Sequence, residues 1–232
     1  MAIITLSREY GSGGDEVANR LCEALGYHCF GKSQIIQAAS ETTMSKNNII
    51  DYTEDNHEVQ SFQDRLFGRT ASSVQKIAWL ENPSIATSPN RADVHDTAVL
   101  SLSEKAIRAA VGAGNMIIIG RGGQVILKDA PGVMHVRIEA PVEKRIEWVE
   151  QELKKEPGAP QSEKKLATVA SEIIANRDMA SADYIKRYFN TDWGDPRLYH
   201  MVLNLGKLTI EQAVQIILVA VHSMEAQPAA PR

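Results

Sequence analysis

The stretch IITLSREYGSGGDEVANRL, residues 3–21, decides how this sequence is interpreted. Its short, apolar and β-branched start, residues 3–6, predicts a buried strand. From Gly14 to Leu25 apolar residues recur every four positions, which predicts a helix that Gly26 ends as a C-cap. A glycine cluster lies between the strand and the helix. This order predicts a loop whose backbone amides can bind a phosphate at a helix N-terminus.

The loop lacks the lysine of the standard phosphate-loop pattern GxxxxGK[ST]. Gly14 stands at the lysine position, and no serine or threonine follows it directly. The backbone amides can still converge on phosphate oxygens, and the Ser12 hydroxyl is a candidate for Mg²⁺. Asp15 and Glu16 suit the helix dipole, but an acid there repels phosphate. The stretch alone fits a phosphate site that takes its cation from elsewhere, or a tight turn capped by acids.

Composition limits the classes of protein to consider. The chain has 232 residues, of which 44% are hydrophobic and 23% charged, enough for one α/β domain with a smaller inserted subdomain. A net charge of −4 gives no basic field for nucleic acid. No apolar run reaches the roughly 18 residues of a membrane span, and no signal pattern opens the chain, so we expect a cytoplasmic protein without membrane association. We expect Cys22 and Cys29 to be buried packing residues in a reducing compartment, rather than a disulfide or metal pair.

Strands and helices alternate along the rest of the chain. Apolar runs at 27–30, 115–120, 133–140 and 199–206 predict further strands. The pattern predicts a three-layer α/β fold, in which helices cover both faces of a mostly parallel sheet. Ligands bind at the carboxyl ends of the strands in such sheets. Three of these ends carry candidate residues: 7–14, 120–123 and 204–206.

Several polar residues have ordinary structural explanations. Arg137 alternates with apolar neighbours in its strand, which favours an edge or interface position over a site. His135 fits a satisfied core or edge histidine. The stretch DWGDPRLY, 192–199, favours turn chemistry. The six histidines show no metal-ligand spacing, so the sequence predicts no metal site.

Four stretches together resemble the cytidylate kinase-like family, relatives of the bacterial cytidylate kinases among the nucleoside monophosphate kinases. They are SREYGSGG at 7–14, IIIGRGGQVIL at 117–127, HVRIEAPVEKRI at 135–146 and RDMASADYIKRYFNTDWGDPRLYHMVLNLGKLTIEQAV at 177–214. Each piece alone is weak, but the combination is specific. The likeness spans most of the chain and is poorest from 40 to 95.

The resemblance implies a P-loop kinase fold in a single domain, residues 1–222, followed by a disordered tail at 223–232. Its parts would be a core (1–32, 96–149 and 191–222), a helical monophosphate-binding region (33–95) and a lid-like region (150–190). The implied reaction moves the γ-phosphoryl group of ATP to a nucleoside monophosphate, CMP above all, with Mg²⁺. The apolar closing helix could serve a homodimer as easily as the core.

The resemblance also implies roles for particular residues. Gly11, Ser12, Gly13 and Gly14 would bind the ATP phosphates, although true cytidylate kinases carry a lysine at position 14. Arg8 leaves the first strand toward the same space and is a candidate replacement cation.

Two further arginines match family motifs. Arg121 matches the arginine of a Gly-Arg-Asp motif that contacts the monophosphate, whereas Gly122 replaces its aspartate. Arg177 and Asp178 match the lid pair whose acid helps to read the cytosine, while Ser181 replaces the arginine three residues later. Arg8, Arg121 and Arg177 are therefore the predicted catalytic cations.

These departures leave two alternatives open. Gly122 and Ser181 allow a different small-molecule kinase on the same fold. Gly14 and Asp15 favour a nucleotide-binding regulatory protein without catalytic turnover, because the loss of a phosphate-clamping cation costs orders of magnitude in rate.

Overall fold

The computed structural model describes residues 2–31, 104–109, 111–112, 114–155 and 162–226. The predicted monophosphate-binding region at 33–95 lies outside these residues. In chain order the elements are β1 (Ile3–Arg8), α1 (Gly14–Leu25), β2 (His28–Phe30), β3 (Met116–Ile119), α2 (Gly123–Ile126), β4 (Val133–Glu139), α3 (Val142–Leu153), α4 (Glu163–Phe189), a 3₁₀ turn (Pro196–Leu198), β5 (Met201–Asn204) and α5 (Ile210–Ala226). Residues 104–109 are also helical.

The five strands form one parallel sheet in the order β2-β3-β1-β4-β5. Leu6 in β1 pairs with Ile119 at the end of β3, and Arg8 pairs with Ile138 near the end of β4. The carboxyl ends of these three strands therefore meet at one edge of the sheet, which is where an open α/β sheet binds its ligands.

Period-two alternation in the strands divides the core into two layers. Ile4 and Leu6 face α1 and α5 on one side, while Ile3 and Ile118 face Ile107 and α2 on the other. The predicted three-layer α/β fold is confirmed. It forms because parallel strands with an apolar residue on each face must be covered on both sides.

The second face of the sheet becomes polar toward its carboxyl edge. Arg137 is only 3% exposed in the interior strand β4, so its predicted edge or interface position is wrong. Its Nε donates to Glu139 Oε1 at 2.5 Å, and its Nη1 donates to the Trp193 carbonyl at 3.0 Å. The guanidinium also lies 4.2 Å from the centre of the Trp193 ring. Period-two alternation predicts on which face of the sheet Arg137 lies. It does not predict that the distant segment with Trp193 covers this face.

The segment 192–199 uses the predicted turn chemistry. Asp192 Oδ1 accepts from the Gly194 amide at 2.9 Å, and Asp195 Oδ1 accepts from the Arg197 amide at 3.0 Å. The turn carries Trp193 onto the sheet, where its indole Nε1 donates to Ser7 Oγ at 2.9 Å. This segment therefore closes the sheet edge beside the loop that follows β1.

Cys22 and Cys29 form a disulfide in this structure, contrary to the expectation of two packing thiols. Cys22 lies in α1 and Cys29 in β2, and the turn at Gly26 brings their Cα atoms to 6.0 Å, within the range that a disulfide spans. Both residues are half-buried rather than buried. Their apolar sequence settings indicate packing, whereas the pairing depends on how the helix turns back onto the sheet.

The closing helix α5 extends to Ala226, so residues 223–226 are ordered rather than part of the predicted tail. Glu225 Oε1 accepts hydrogen bonds from the Ala2 amide at 3.0 Å and the Tyr27 hydroxyl at 3.1 Å, which ties the end of the helix to the start of β1. Across the described ranges, no helix is long and apolar enough to cross a membrane.

Candidate phosphate-binding site

The loop between β1 and α1 is built around two glycines with positive φ, Gly11 at 72° and Gly13 at 83°. Gly13 is the N-cap of α1, which no side chain caps. The Ser12 amide donates to the Glu9 carbonyl at 3.2 Å. Among the described residues, the amides of Gly13 and Gly14 have no hydrogen-bond acceptor. The loop therefore presents free N–H groups at the positive end of a helix, the arrangement that binds anions.

Arg8 occupies the space in which a lysine at position 14 would begin. A Cβ atom added to Gly14 would lie 2.5 Å from Arg8 Cβ and 2.9 Å from Arg8 Cγ. These separations are too short for non-bonded carbon atoms, so the Arg8 stem and a side chain at position 14 exclude each other. The missing lysine is thus coupled to an arginine whose stem lies against the same helix N-terminus.

Asp15 holds the Arg8 guanidinium beside this helix. Arg8 Nε donates to Asp15 Oδ1 at 3.0 Å. The Arg8 side chain is mostly buried and Asp15 is exposed. The sequence presents Asp15 as a charge that repels phosphate. In the structure its carboxylate orients a cation at the loop, which offsets that repulsion.

The Ser12 hydroxyl is a buried polar group without a hydrogen bond in the part of the chain that the structure describes. The residue is only 1% exposed. Buried hydroxyls are normally hydrogen-bonded, so an unsatisfied one inside a glycine loop points to a ligand atom. The hydroxyl fits the predicted role of Ser12 at a phosphate or its Mg²⁺. The described residues hold no cluster of three His, Cys, Asp or Glu side chains for a resident metal ion.

Arg121 lies in the turn that follows β3, directly after Gly120. It is 3% exposed, and its φ of 62° is unusual for a residue other than glycine. The Gly120 amide donates to the Leu6 carbonyl at 2.9 Å, which fixes this turn to β1. Buried charge together with a strained backbone is a combination found at functional sites. The structure thus places Arg8 and Arg121 at the ends of neighbouring strands.

Gly122, which replaces the aspartate of the family motif, has no room for a side chain. Its φ is 71°, and an added Cβ would lie 2.7 Å from Phe189 Cε2. An aspartate at this position would therefore require both a left-handed backbone and displacement of a ring on α4. The packing of α4 on the sheet therefore requires glycine at position 122 instead of the aspartate of the motif.

Arg177 and Asp178 bring α4 to the glycine loop through Tyr10. The Tyr10 amide donates to Asp178 Oδ1 at 2.9 Å, and the Arg177 guanidinium carbon lies 5.8 Å from the centre of the Tyr10 ring. Asp178 Oδ2 also accepts from Arg145 Nη1 at 2.5 Å. In this conformation Asp178 forms a salt bridge with Arg145, whereas the resemblance implies a base-reading role for it.

Arg145 and Glu9 are site residues that the sequence reasoning missed. Arg145 in α3 is 8% exposed and donates through Nη1 to the Tyr10 carbonyl at 3.2 Å. Glu9 Oε2 accepts from the Ala140 amide at 3.2 Å, and burial raises the pKa of the Glu9 carboxyl. Residues 142–155 form a charged helix, so the sequence does not distinguish the buried Arg145 from its exposed charged neighbours. The usable signal was helical spacing, because Arg145 precedes the buried Val149 by four residues.

Comparisons with known proteins agree with this layout. A model of the cytidylate kinase-like family matches residues 3–207. No curated protein matches the chain. An uncharacterized protein from Eubacterium ventriosum has a similar structure, with a TM-score of 0.63 at 18% identity, over 96% of this chain and 99% of that chain.

A shikimate kinase from Acinetobacter baumannii in complex with shikimate gives a TM-score of 0.44 at 14% identity, over 98% of this chain and 96% of that chain. At this identity the likeness to the Eubacterium protein shows a shared fold alone.

Proposed function

The chain belongs to the cytidylate kinase-like family, and on that premise we propose that it transfers the γ-phosphoryl group of ATP to a nucleoside monophosphate, with a CMP-type acceptor. Membership of the family supports the more general conclusion that the chain is a phosphotransferase on a P-loop fold. The single observation that carries the proposal of turnover at this loop is the Arg8 stem in the space of a side chain at position 14, whereas the CMP-type acceptor rests on the family. It supports a phosphate site in which an arginine from β1 replaces the lysine.

The residues have separate roles in this proposal. The amides of the glycine loop hold the ATP phosphates, and Arg8 neutralises charge that develops on them. Arg121 holds the phosphate of the acceptor at the neighbouring strand end, and Arg177 adds a cation from α4. Ser12 would face the Mg²⁺ that enters with the nucleotide, and this ion would supply further charge neutralisation on the phosphates.

A second candidate is a kinase for a different small molecule. It is favoured by Gly122 and by the Phe189 ring that fills the space of the motif's aspartate. The resemblance gives Asp178 a base-reading role. In this structure both of its carboxylate oxygens accept hydrogen bonds at the loop, so they do not contribute to a cytosine site in this conformation. The acceptor is therefore the part of the proposal that the first experiment must vary.

The experiment measures phosphoryl transfer from Mg·ATP to CMP, dCMP, UMP, AMP and GMP. We expect turnover of CMP or UMP, and a loss of about 10²- to 10³-fold in kcat for Arg8→Met, which keeps the aliphatic stem over Gly14. Arg121→Met should lose activity mainly through a raised KM for the acceptor. Arg20→Met is the matched control, because Arg20 lies on the outer face of α1 in salt bridges with Glu16 and Glu211.

Each outcome bears on the proposal directly. Full activity of Arg8→Met would contradict the replacement of the lysine. ATP binding without turnover on any monophosphate would overturn the monophosphate kinase proposal and leave another acceptor or a regulatory protein.

A further inference from the structure

Asp178 reaches the glycine loop from a position 168 residues away along the chain. One of its carboxylate oxygens accepts from the Tyr10 amide at 2.9 Å, and the other accepts from Arg145 Nη1 at 2.5 Å. Arg145 also donates to the Tyr10 carbonyl at 3.2 Å, so the guanidinium is fixed to the loop independently of Asp178. A backbone amide and a guanidinium are thus directed at one anionic group.

These two donors are of the kind that bind phosphate oxygens. Backbone N–H groups of glycine loops and arginine guanidinium groups are the common donors to phosphate, and a carboxylate oxygen resembles a phosphate oxygen as an anionic acceptor. Resting on the function proposed above, we propose that the Asp178 carboxylate is an internal competitor, which occupies a phosphate-oxygen position formed by the Tyr10 amide and Arg145.

Two unsatisfied polar groups, one on the same loop and one on the same guanidinium, also support the proposal. Ser12 Oγ and Arg145 Nε are buried and have no hydrogen-bond partner among the described residues. Arg145 Nε lies 3.7 Å from Glu9 Oε2, which is too far for a hydrogen bond. Asp178 therefore satisfies only part of the available donors. A phosphate has more acceptor oxygens than a carboxylate, so it can satisfy these groups as well.

Repulsion between like charges explains why the Asp178 carboxylate and a bound phosphate exclude each other. A phosphate next to an ionised Asp178 would place two anions against one guanidinium, which is unfavourable in a partly buried position. The Asp178 side chain is 22% exposed, so its carboxylate has a route to solvent. Nucleotide binding then includes the cost of displacing Asp178, and the affinity for nucleotide is lower than the donors alone would give.

The test compares Asp178→Asn with wild type by isothermal titration with Mg·ATP and, separately, with tripolyphosphate. Asparagine keeps an oxygen for the Tyr10 amide but removes the competing charge. We expect both ligands to bind about tenfold more tightly to Asp178→Asn. Glu172→Gln is the matched control, because it removes one negative charge from an exposed position of the same helix α4 and should leave both dissociation constants unchanged.

The outcomes separate this proposal from the proposed function. Binding to Asp178→Asn that is unchanged or weaker, with wild type binding normally, overturns the competitor and leaves the kinase proposal intact. Tighter binding without turnover on any acceptor supports the competitor and counts against the kinase. If neither protein binds either ligand, both proposals fail. Asp178→Ser, a shorter neutral residue, must show the same direction if Asp178→Asn does not fold.

Discussion

At position 14 the absence of a side chain leaves room for the stem of Arg8. Because an added Cβ would lie 2.5 Å from Arg8 Cβ, we expect Gly14→Ala to lower the free energy of unfolding by about 1–3 kcal/mol. Urea denaturation of the variant measures this loss. The matched control is Gly112→Ala, because an added Cβ at Gly112 meets nothing within 4 Å and its unfolding free energy should not fall.

A double variant tests whether Arg8 causes the penalty. In an Arg8→Gly background, Gly14→Ala should cost much less, because the atoms it would strike are gone. The difference between the two costs is the coupling energy of the pair. An equal cost in both backgrounds would assign the penalty to the loop backbone rather than to Arg8.

The sequence could identify this loop but not the exchange of cations within it. Strand, glycine cluster and helix are readable from periodicity, and so is the missing lysine. That Arg8 fills the space of the lysine depends on positions 8 and 14, which are separated along the chain but adjacent in space. Arg145 was missed for a similar reason, since a buried arginine and an exposed one look alike in a charged helix.

The junction of α1 and β2 gives a prediction at the scale of elements. The Cys22–Cys29 disulfide closes a short loop across Gly26. We expect the purified, unreduced protein to show no free thiol after denaturation, because these are its only two cysteines. Reduction should lower the free energy of unfolding by about 2–3 kcal/mol, the entropic value for so short a loop.

The measurements are a thiol titration in denaturant and urea curves with and without reductant. The variant Cys22→Ser/Cys29→Ser controls for other effects of the reductant and should not respond to it. Two titratable thiols in the unreduced, denatured protein would contradict the disulfide and restore the expectation of two packing cysteines.

Elements were predicted well where an apolar run or a helical period is strong. The helix from Gly14 to Leu25 with its Gly26 C-cap was predicted to the residue. The last strand is shorter than its apolar pattern, Met201–Asn204 within the predicted 199–206, because Tyr199 leaves the strand to cover the polar sheet face. Pairings between distant segments, such as Trp193 on Ser7, leave no periodic signal in either segment.

The whole molecule depends on a strand order that periodicity cannot supply. Alternating strands and helices predict a parallel sheet, but several orders satisfy that pattern. The observed order places β1 in the middle, between β3 and β4. This position brings Arg8, Arg121 and the start of α3 to one edge, although Arg8 lies more than a hundred residues from the other two in the chain. The site is thus a property of the topology rather than of any one motif.

Strand β4 lies between β1 and β5, and its His135 is buried. This buried histidine makes the stability of the molecule depend on pH. His135 in β4 is the satisfied core histidine that the sequence predicts, with Nδ1 at 2.7 Å from Thr5 Oγ1. Burial and the neighbouring His200 lower the pKa of His135 from 6.5 to about 4. The unfolded chain therefore binds a proton between these two values when the folded protein does not.

The sign of the effect follows from this difference in proton binding. The contribution of His135 is fully present above pH 6.5 and is lost as the pH falls toward 4. Between pH 7 and pH 5 we expect it to remove about 2 kcal/mol from the free energy of unfolding. Urea denaturation at both values, for wild type and His135→Gln, isolates this contribution, because other groups such as Glu9 titrate equally in both proteins. His222→Gln, at an exposed position of α5, should keep the wild-type dependence. An identical loss in His135→Gln and wild type would show that the acid sensitivity of the fold arises elsewhere.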